Sequence, residues 1–173
     1  MLIRKGTGQD VGELAALYDV LNDYLESHVN YPGWKKGVYP TREDAVRGVE
    51  EGTLFVAVEK GRIASSFLLR HKPEEGYAAV DWQVDLPYSR IFVLYTLAVH
   101  PDFLGRGTGR EMVRFSLEYA VDAGMQAVRL DVYEKSIPAI RLYESLGFSH
   151  VSTVDLGYGA YGLEQFRLYQ KLL

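Results

Sequence analysis

Residues 91–99, Ile-Phe-Val-Leu-Tyr-Thr-Leu-Ala-Val, run without polar alternation. A strand of this kind is buried on both faces, so it belongs in the interior of a sheet. The run ends at Pro101 and empties into Phe103-Leu-Gly-Arg-Gly-Thr-Gly-Arg110, a turn with three alternating glycines and two arginines. A helical pattern follows from Glu111 to Ala123, with Met112, Val113, Leu117, Ala120 and Val121 on its apolar side. Strand, glycine turn and helix in this order make a phosphate site. The glycines admit close backbone approach, and the helix start offers unpaired N–H groups and the positive end of its dipole.

The rest of the chain supplies elements to surround this strand. Residues 2–5 read as a first strand. Thr7 reads as the N-cap of a helix with Asp10 in its first turn, and Val11, Leu14, Ala15, Tyr18, Leu21 and Leu25 follow at helical spacing. Residues 28–40 form a loop with three aromatics, Tyr31, Trp34 and Tyr39; they either cap one end of the core or wall an acceptor pocket. Thr41 to Asp44 repeats the capping pattern and opens a second helix that Gly52 stops. Strands at 53–59 and 62–70 are joined at Lys60-Gly61, and 77–84 reads as a further strand. Residues 127–133 form another, with Val128, Leu130 and Val132 on one face and Arg129, Asp131 and Tyr133 on the other. Ser136 reads as the cap of a helix that tolerates Pro138 in its first turn and presents Ala139, Tyr143 and Leu146 together. Strands at 148–154 and 164–172 close the chain around the loop 157–162. Nothing repeats and no linker is visible, so residues 1–173 read as a single α/β domain.

Charge and composition narrow the function. A net charge of −4 gives no overall basic field for nucleic acid. No apolar run reaches the roughly 18 residues that span a bilayer, so no membrane partner is expected. With no cysteine there is no disulfide, thiol nucleophile or thiolate zinc site, which suits a cytoplasmic location. His28, His71, His100 and His150 lie far apart, and no metal is expected.

The glycine turn fits neither of two familiar nucleotide motifs. A phosphate loop of the hydrolase kind needs Lys-Ser/Thr after its last glycine, where Arg110-Glu111 stands. A dinucleotide fingerprint needs GxGxxG in the first strand–helix unit. Val99-His-Pro-Asp-Phe-Leu-Gly-Arg-Gly-Thr-Gly-Arg110 instead resembles the acyl-CoA-binding motif of the GNAT superfamily of N-acetyltransferases. Further on, Ser136-Ile-Pro-Ala-Ile-Arg-Leu-Tyr-Glu-Ser-Leu-Gly-Phe148 resembles that superfamily's second signature. The element order matches from end to end.

The resemblance implies a mixed, mostly antiparallel sheet of about seven strands flanked by about four helices, with a splayed central pair whose members are 91–99 and 127–133. It implies an acetyl-CoA-dependent N-acetyltransferase that moves an acetyl group to a primary amine, of a small molecule or a peptide, directly in a ternary complex. The alternative on the same fold is a non-catalytic CoA-binding or sensing module. Gly105, Arg106, Gly107, Thr108, Gly109 and Arg110 would hold the pyrophosphate of acetyl-CoA. Leu97, Ala98 and Val99 would lie along its pantetheine arm, with the Val99 N–H aimed at the thioester oxygen. Ser136 and Ala139 complete the cofactor set. Leu104 stands where Gln or Arg is usual, and Ser136 where Asn is usual. Tyr143 matches the tyrosine that acts as general acid. Tyr31, Trp34, Trp82 and Tyr95 would line the acceptor side, and aromatic walls suit an apolar or a cationic acceptor equally. Asp81, Asp85, Tyr95, His100 and Glu134 are the candidates near strand ends for a base. The oligomeric state is open: the superfamily often dimerises, and a homodimer is one reading by that analogy alone.

Overall fold

The computed structural model describes residues Met1–Leu173. Seven strands form one sheet in the order β1-β2-β3-β4-β5-β7-β6. They are β1 (Leu2–Lys5), β2 (Leu54–Glu59), β3 (Arg62–Arg70), β4 (Ile91–Val99), β5 (Ala127–Tyr133), β6 (Ser149–Val154) and β7 (Phe166–Leu172). Four helices accompany them: α1 (Val11–Ser27), α2 (Arg42–Glu50), α3 (Thr108–Asp122) and α4 (Ile137–Ser145). The β4–β5 pair is parallel, whereas the pairings of β1 with β2, β2 with β3, β5 with β7 and β6 with β7 are antiparallel. The expected mixed, mostly antiparallel sheet is therefore present. The chain divides into two compact units, and each is described in turn.

The first unit holds residues 1–30, 34–69 and 96–115. Its entry is fixed by polar chemistry at Asp10. The Arg4 guanidinium donates to both oxygens of that carboxylate at 2.8 Å, and the Thr7 N–H and hydroxyl donate at 2.7 and 3.0 Å. The predicted cap is thus a capping box whose first turn is 3-10 before α1 begins. Thr41 and Asp44 repeat the device at α2. At Lys60-Gly61 both residues take left-handed conformations, as a two-residue hairpin turn of the type I′ kind requires.

Arg4 and its two hydrogen bonds hold the Asp10 carboxyl down at about 2. A depressed carboxylate stabilises the fold above its unfolded pKa, near 4, and loses that contribution as pH falls toward 2. Asp10→Asn is expected to lower the unfolding free energy at pH 7 by about 1–2 kcal/mol and to flatten its decline below pH 4. Urea titrations at pH 7 and pH 3 check this.

The second unit holds residues 31–33, 70–95 and 116–173. Segment 77–84, expected as a strand, contains no strand: a 3-10 turn covers Glu75–Ala79 and irregular backbone follows. The reason is its aromatic anchors. Residues five apart on a strand point to opposite faces, yet Tyr77 and Trp82 join one buried cluster with Val93 and Leu168. The Trp82 Nε1–H donates to the Tyr77 carbonyl at 3.1 Å, which folds the segment back on itself.

The parallel pairing of β4 with β5 covers Ile91↔Ala127, Phe92↔Val128 and Val93↔Arg129. It stops there, although both strands run on. β5 keeps its other partner to the end, through Asp131↔Leu168 and Tyr133↔Phe166 on β7. The expected splay begins at this point, and β5 loses its ladder on one side only.

Candidate active site

In the first unit the site begins where β4 ends. Thr96, a β-branched residue in mid-strand, takes φ +53°. Such a conformation is costly and survives only where surrounding contacts impose it. Thr96 is buried, and its hydroxyl shares a short hydrogen bond with the Tyr39 hydroxyl. The break re-aims the last residues of the strand. Ala98 is fully buried, and its carbonyl accepts from the Ser65 hydroxyl at 2.7 Å; Leu97 and Val99 are half-buried.

The turn that follows is braced from below. The His100 N–H donates to the Ala64 carbonyl, and its ring Nδ1 accepts the Asp102 N–H at 3.1 Å. His100 therefore caps a 3-10 turn, Pro101–Phe103. Phe103 is buried, and its carbonyl accepts the Thr108 hydroxyl at 3.2 Å, which ties the start of α3 to the turn. Between these anchors Gly105 (φ +73°) and Gly107 (φ +84°) alternate with Arg106. Successive N–H groups in such a turn point toward a common concavity that suits an anion. A Cβ placed at either glycine would meet nothing within 4 Å, so the space over the turn is open.

α3 is 15 residues long and opens here, with its first helical bond running from the Glu111 N–H to the Gly107 carbonyl. The start of an α-helix of this length carries N–H groups that its own ladder does not use. Gly109 and Arg110 are half-buried in its first turn, and the Arg106 guanidinium sits 5.7 Å from the Phe103 ring. Backbone donors, a helix dipole and two cations are the donor set a pyrophosphate needs. Leu104 is exposed, at 42%, and brings no polar group.

The second unit gathers tyrosines around one carboxylate. Asp131 lies on β5, two residues past the last β4 pairing, and in continued register it would face Tyr95. The Tyr77 hydroxyl donates to its Oδ2 at 2.7 Å. Asp131 is half-buried, and loss of hydration, with the Glu74 charge adding to it, pushes its carboxyl up to about 6 against the pull of the Tyr77 hydrogen bond. Its negative charge in turn raises the phenols around it. Tyr143, on α4, is buried and packs edge-on to Phe148 at 5.8 Å; burial first, and Asp131 second, push its hydroxyl well above the usual range. The same two causes lead for Tyr95, whose hydroxyl donates to the Lys72 carbonyl at 3.1 Å. Tyr158 is raised to about 12, by burial, then Glu74 and Asp131.

Ser136 occupies the N-cap of α4 and is buried, but its hydroxyl makes no capping bond; Ala139 is half-buried one turn on. Trp82 is 7% exposed, with its N–H bonded to Tyr77 and the Arg129 guanidinium 4.0 Å above its ring, so it belongs to the core cluster. Trp34 is half-buried and meets Tyr39 edge-on at 5.6 Å, whereas Tyr31 is exposed. Of the candidate bases, Asp81 accepts the Gln83 N–H and Asp85 is exposed; Glu134 is half-buried. Sequence reasoning did not single out Asp131, Tyr77 or Thr96. For Asp131 a signal existed: a carboxylate in mid-strand, on the face opposite Val128, Leu130 and Val132.

The model of the Acetyltransferase (GNAT) family matches residues 14–148. An uncharacterised N-acetyltransferase of Methanocaldococcus jannaschii is 29% identical over 145 residues, covering 79% of this chain and 59% of that protein. A mycothiol acetyltransferase of Thermomonospora curvata is 43% identical over 65 residues, 38% of this chain and 22% of that protein. The chain thus spans about a fifth to three fifths of the length of these curated relatives. Among solved structures, a GNAT-family acetyltransferase of Streptococcus agalactiae superposes with a TM-score of 0.80 at 21% identity, over 99% of this chain and 95% of that one. The yncA protein of Salmonella typhimurium, solved with its cofactor acetyl-CoA, superposes at 0.72 with 18% identity, over 100% and 94%. At these identities the likeness is one of fold.

Proposed function

Because this chain belongs to the acetyltransferase (GNAT) family, matched over residues 14–148, we propose that it transfers an acetyl group from acetyl-CoA to a primary amine. Residues 1–173 act as one N-acetyltransferase domain, and the acceptor is a small molecule or a peptide. The observation that carries this is the pair of left-handed glycines, Gly105 and Gly107, placed under open space at the start of α3.

Acetyl-CoA, as co-substrate, supplies an activated acetyl carbonyl. The backbone of Gly105 to Gly109 takes its pyrophosphate, with charge from Arg106 and Arg110. Leu104, Ser136 and Ala139 contribute contact more than charge. Leu97 and Val99 offer backbone groups to the pantetheine, while Ala98 turns inward and its carbonyl is held by Ser65. The Val99 N–H polarises the thioester; a donor aimed at a developing oxyanion contributes about 3–4 kcal/mol. Tyr143 keeps its proton at neutral pH because burial and Asp131 raise it, so it acts as donor to the departing sulfur. Tyr31, Trp34 and Tyr95 stand on the acceptor side. With no cysteine in the chain there is no thiol to carry an acyl-enzyme, which agrees with direct transfer.

Calorimetry with acetyl-CoA, followed by a thiol-release assay with tyramine, putrescine and an alanyl peptide, tests the reading. Heat on binding and CoA release with at least one amine are expected. Binding without release from any amine would leave a CoA-binding module, and no heat would remove the cofactor assignment as well.

A further inference from the structure

In the proposed reaction Tyr143 is the proton donor, but the amine must also lose a proton, and no carboxylate stands on β4. We propose that Asp131 on β5 is the base that takes this proton and that Tyr77 positions it. This rests on the acetyltransferase reading and assigns within it what the family match leaves open.

The geometry places a carboxylate where a strand has lost its neighbour. The β4–β5 ladder ends at Val93↔Arg129, so Asp131 is the second residue of β5 with no partner on that side, while Leu168 of β7 still pairs it on the other. Its backbone is therefore fixed from one side and open on the other. The side chain is fixed too, because the buried Tyr77 hydroxyl donates to its Oδ2 at 2.7 Å. Asp131 remains partly accessible, as a group that meets a substrate must. The groups that act on this carboxylate or feel its charge are Tyr77, Glu74, Tyr95, Tyr143 and Tyr158, and the Arg70 guanidinium lies 6.0 Å from the Tyr95 ring. Raised to about 6, the carboxyl is ionised at neutral pH and is a stronger base than an ordinary aspartate.

In the balanced step, the amine lone pair forms the N–C bond and the carbonyl π pair moves to oxygen. Asp131 takes one N–H proton. The oxygen pair re-forms C=O as the C–S bond breaks, its electron pair leaving with sulfur. Sulfur takes the Tyr143 proton, and the proton held by Asp131 then restores the phenol. Amine and acetyl-CoA become amide and CoA, and the pair carries one negative charge before and after.

The test uses the full chain. Asp131→Asn should bind acetyl-CoA in calorimetry within about twofold of the parent, yet lose roughly 30-fold or more in kcat at pH 7.5. The acidic limb of the kcat profile, near pH 6 in the parent, should vanish with it. Tyr77→Phe removes the bond that lowers the carboxyl, so the limb should move to higher pH. Carboxyl 13C NMR should show Asp131 titrating near that limb in the parent, and at lower pH when Asp131 no longer faces Glu74, in Glu74→Gln. Turnover of Asp131→Asn within threefold of the parent, or an acidic limb that survives it, would overturn the proposal while the parent's CoA release keeps the acetyltransferase reading. A carboxyl that titrates below pH 4.5 would also overturn it.

Discussion

Tyr143→Phe is expected to lower kcat by about 10²- to 10⁴-fold, the range a positioned general acid contributes, while acetyl-CoA affinity stays within about threefold. The substitution removes one oxygen and keeps the ring that packs edge-on against Phe148 at 5.8 Å. Deleting a single polar atom from a site that keeps its packing changes stability by no more than about 1 kcal/mol. Packing and proton donation therefore separate in one variant. If Tyr143 served only to fill space, Tyr143→Phe would turn over at the parent rate. A step limited by thiolate departure gives a second mark. An acceptor amine of lower basicity should not restore the rate, because the lost proton is the one on sulfur. Single-turnover assays with tyramine and an alanyl peptide, alongside calorimetry with acetyl-CoA, check both marks.

What could be read from the chain divides along physical lines. β4 and β5 were legible to the residue, because a nine-residue run with only Thr96 polar and a clean period of two are local signals. The same holds for Thr7 with Asp10 and Thr41 with Asp44, where cap and carboxylate lie three residues apart. The turn after β4 was legible as a place for glycine, and Gly105 and Gly107 there take left-handed conformations. The strand expected at 77–84 failed because apolar content alone does not fix backbone direction: Tyr77 and Trp82 are held by Val93 and Leu168, which are distant in sequence. The same distance hid Asp131. Its setting is made by Tyr77, fifty-four positions away, and by the place where a ladder stops. Thr96 was beyond reach for another reason, since a β-branched residue is the last choice for a left-handed conformation. Ser136 sits where a cap was read, but its hydroxyl is not spent on capping.

Gly105→Val with Gly107→Val is expected to weaken acetyl-CoA binding by about 10³-fold and to leave the fold intact. At φ +73° and +84° a β-branched side chain is an outlier, and each such residue costs about 1–3 kcal/mol if the conformation is held. The turn is exposed and neither new Cβ meets an atom within 4 Å, so nothing forces the backbone to hold it. Both residues then relax to negative φ. The strain is avoided, but the N–H groups turn away from the concavity and the valine side chains occupy it. The cost therefore falls on binding: two residues at about 2 kcal/mol each correspond to about three decades of affinity. Arg106→Ala, which removes charge and keeps the backbone, should cost about tenfold at most and should matter less as salt is raised. Thermal unfolding of the double variant should stay within a few degrees of the parent, since β4 and α3 remain anchored through Phe103 and Thr108. A double variant that binds acetyl-CoA as the parent does would show that side-chain charge, and not the glycine backbone, holds the pyrophosphate.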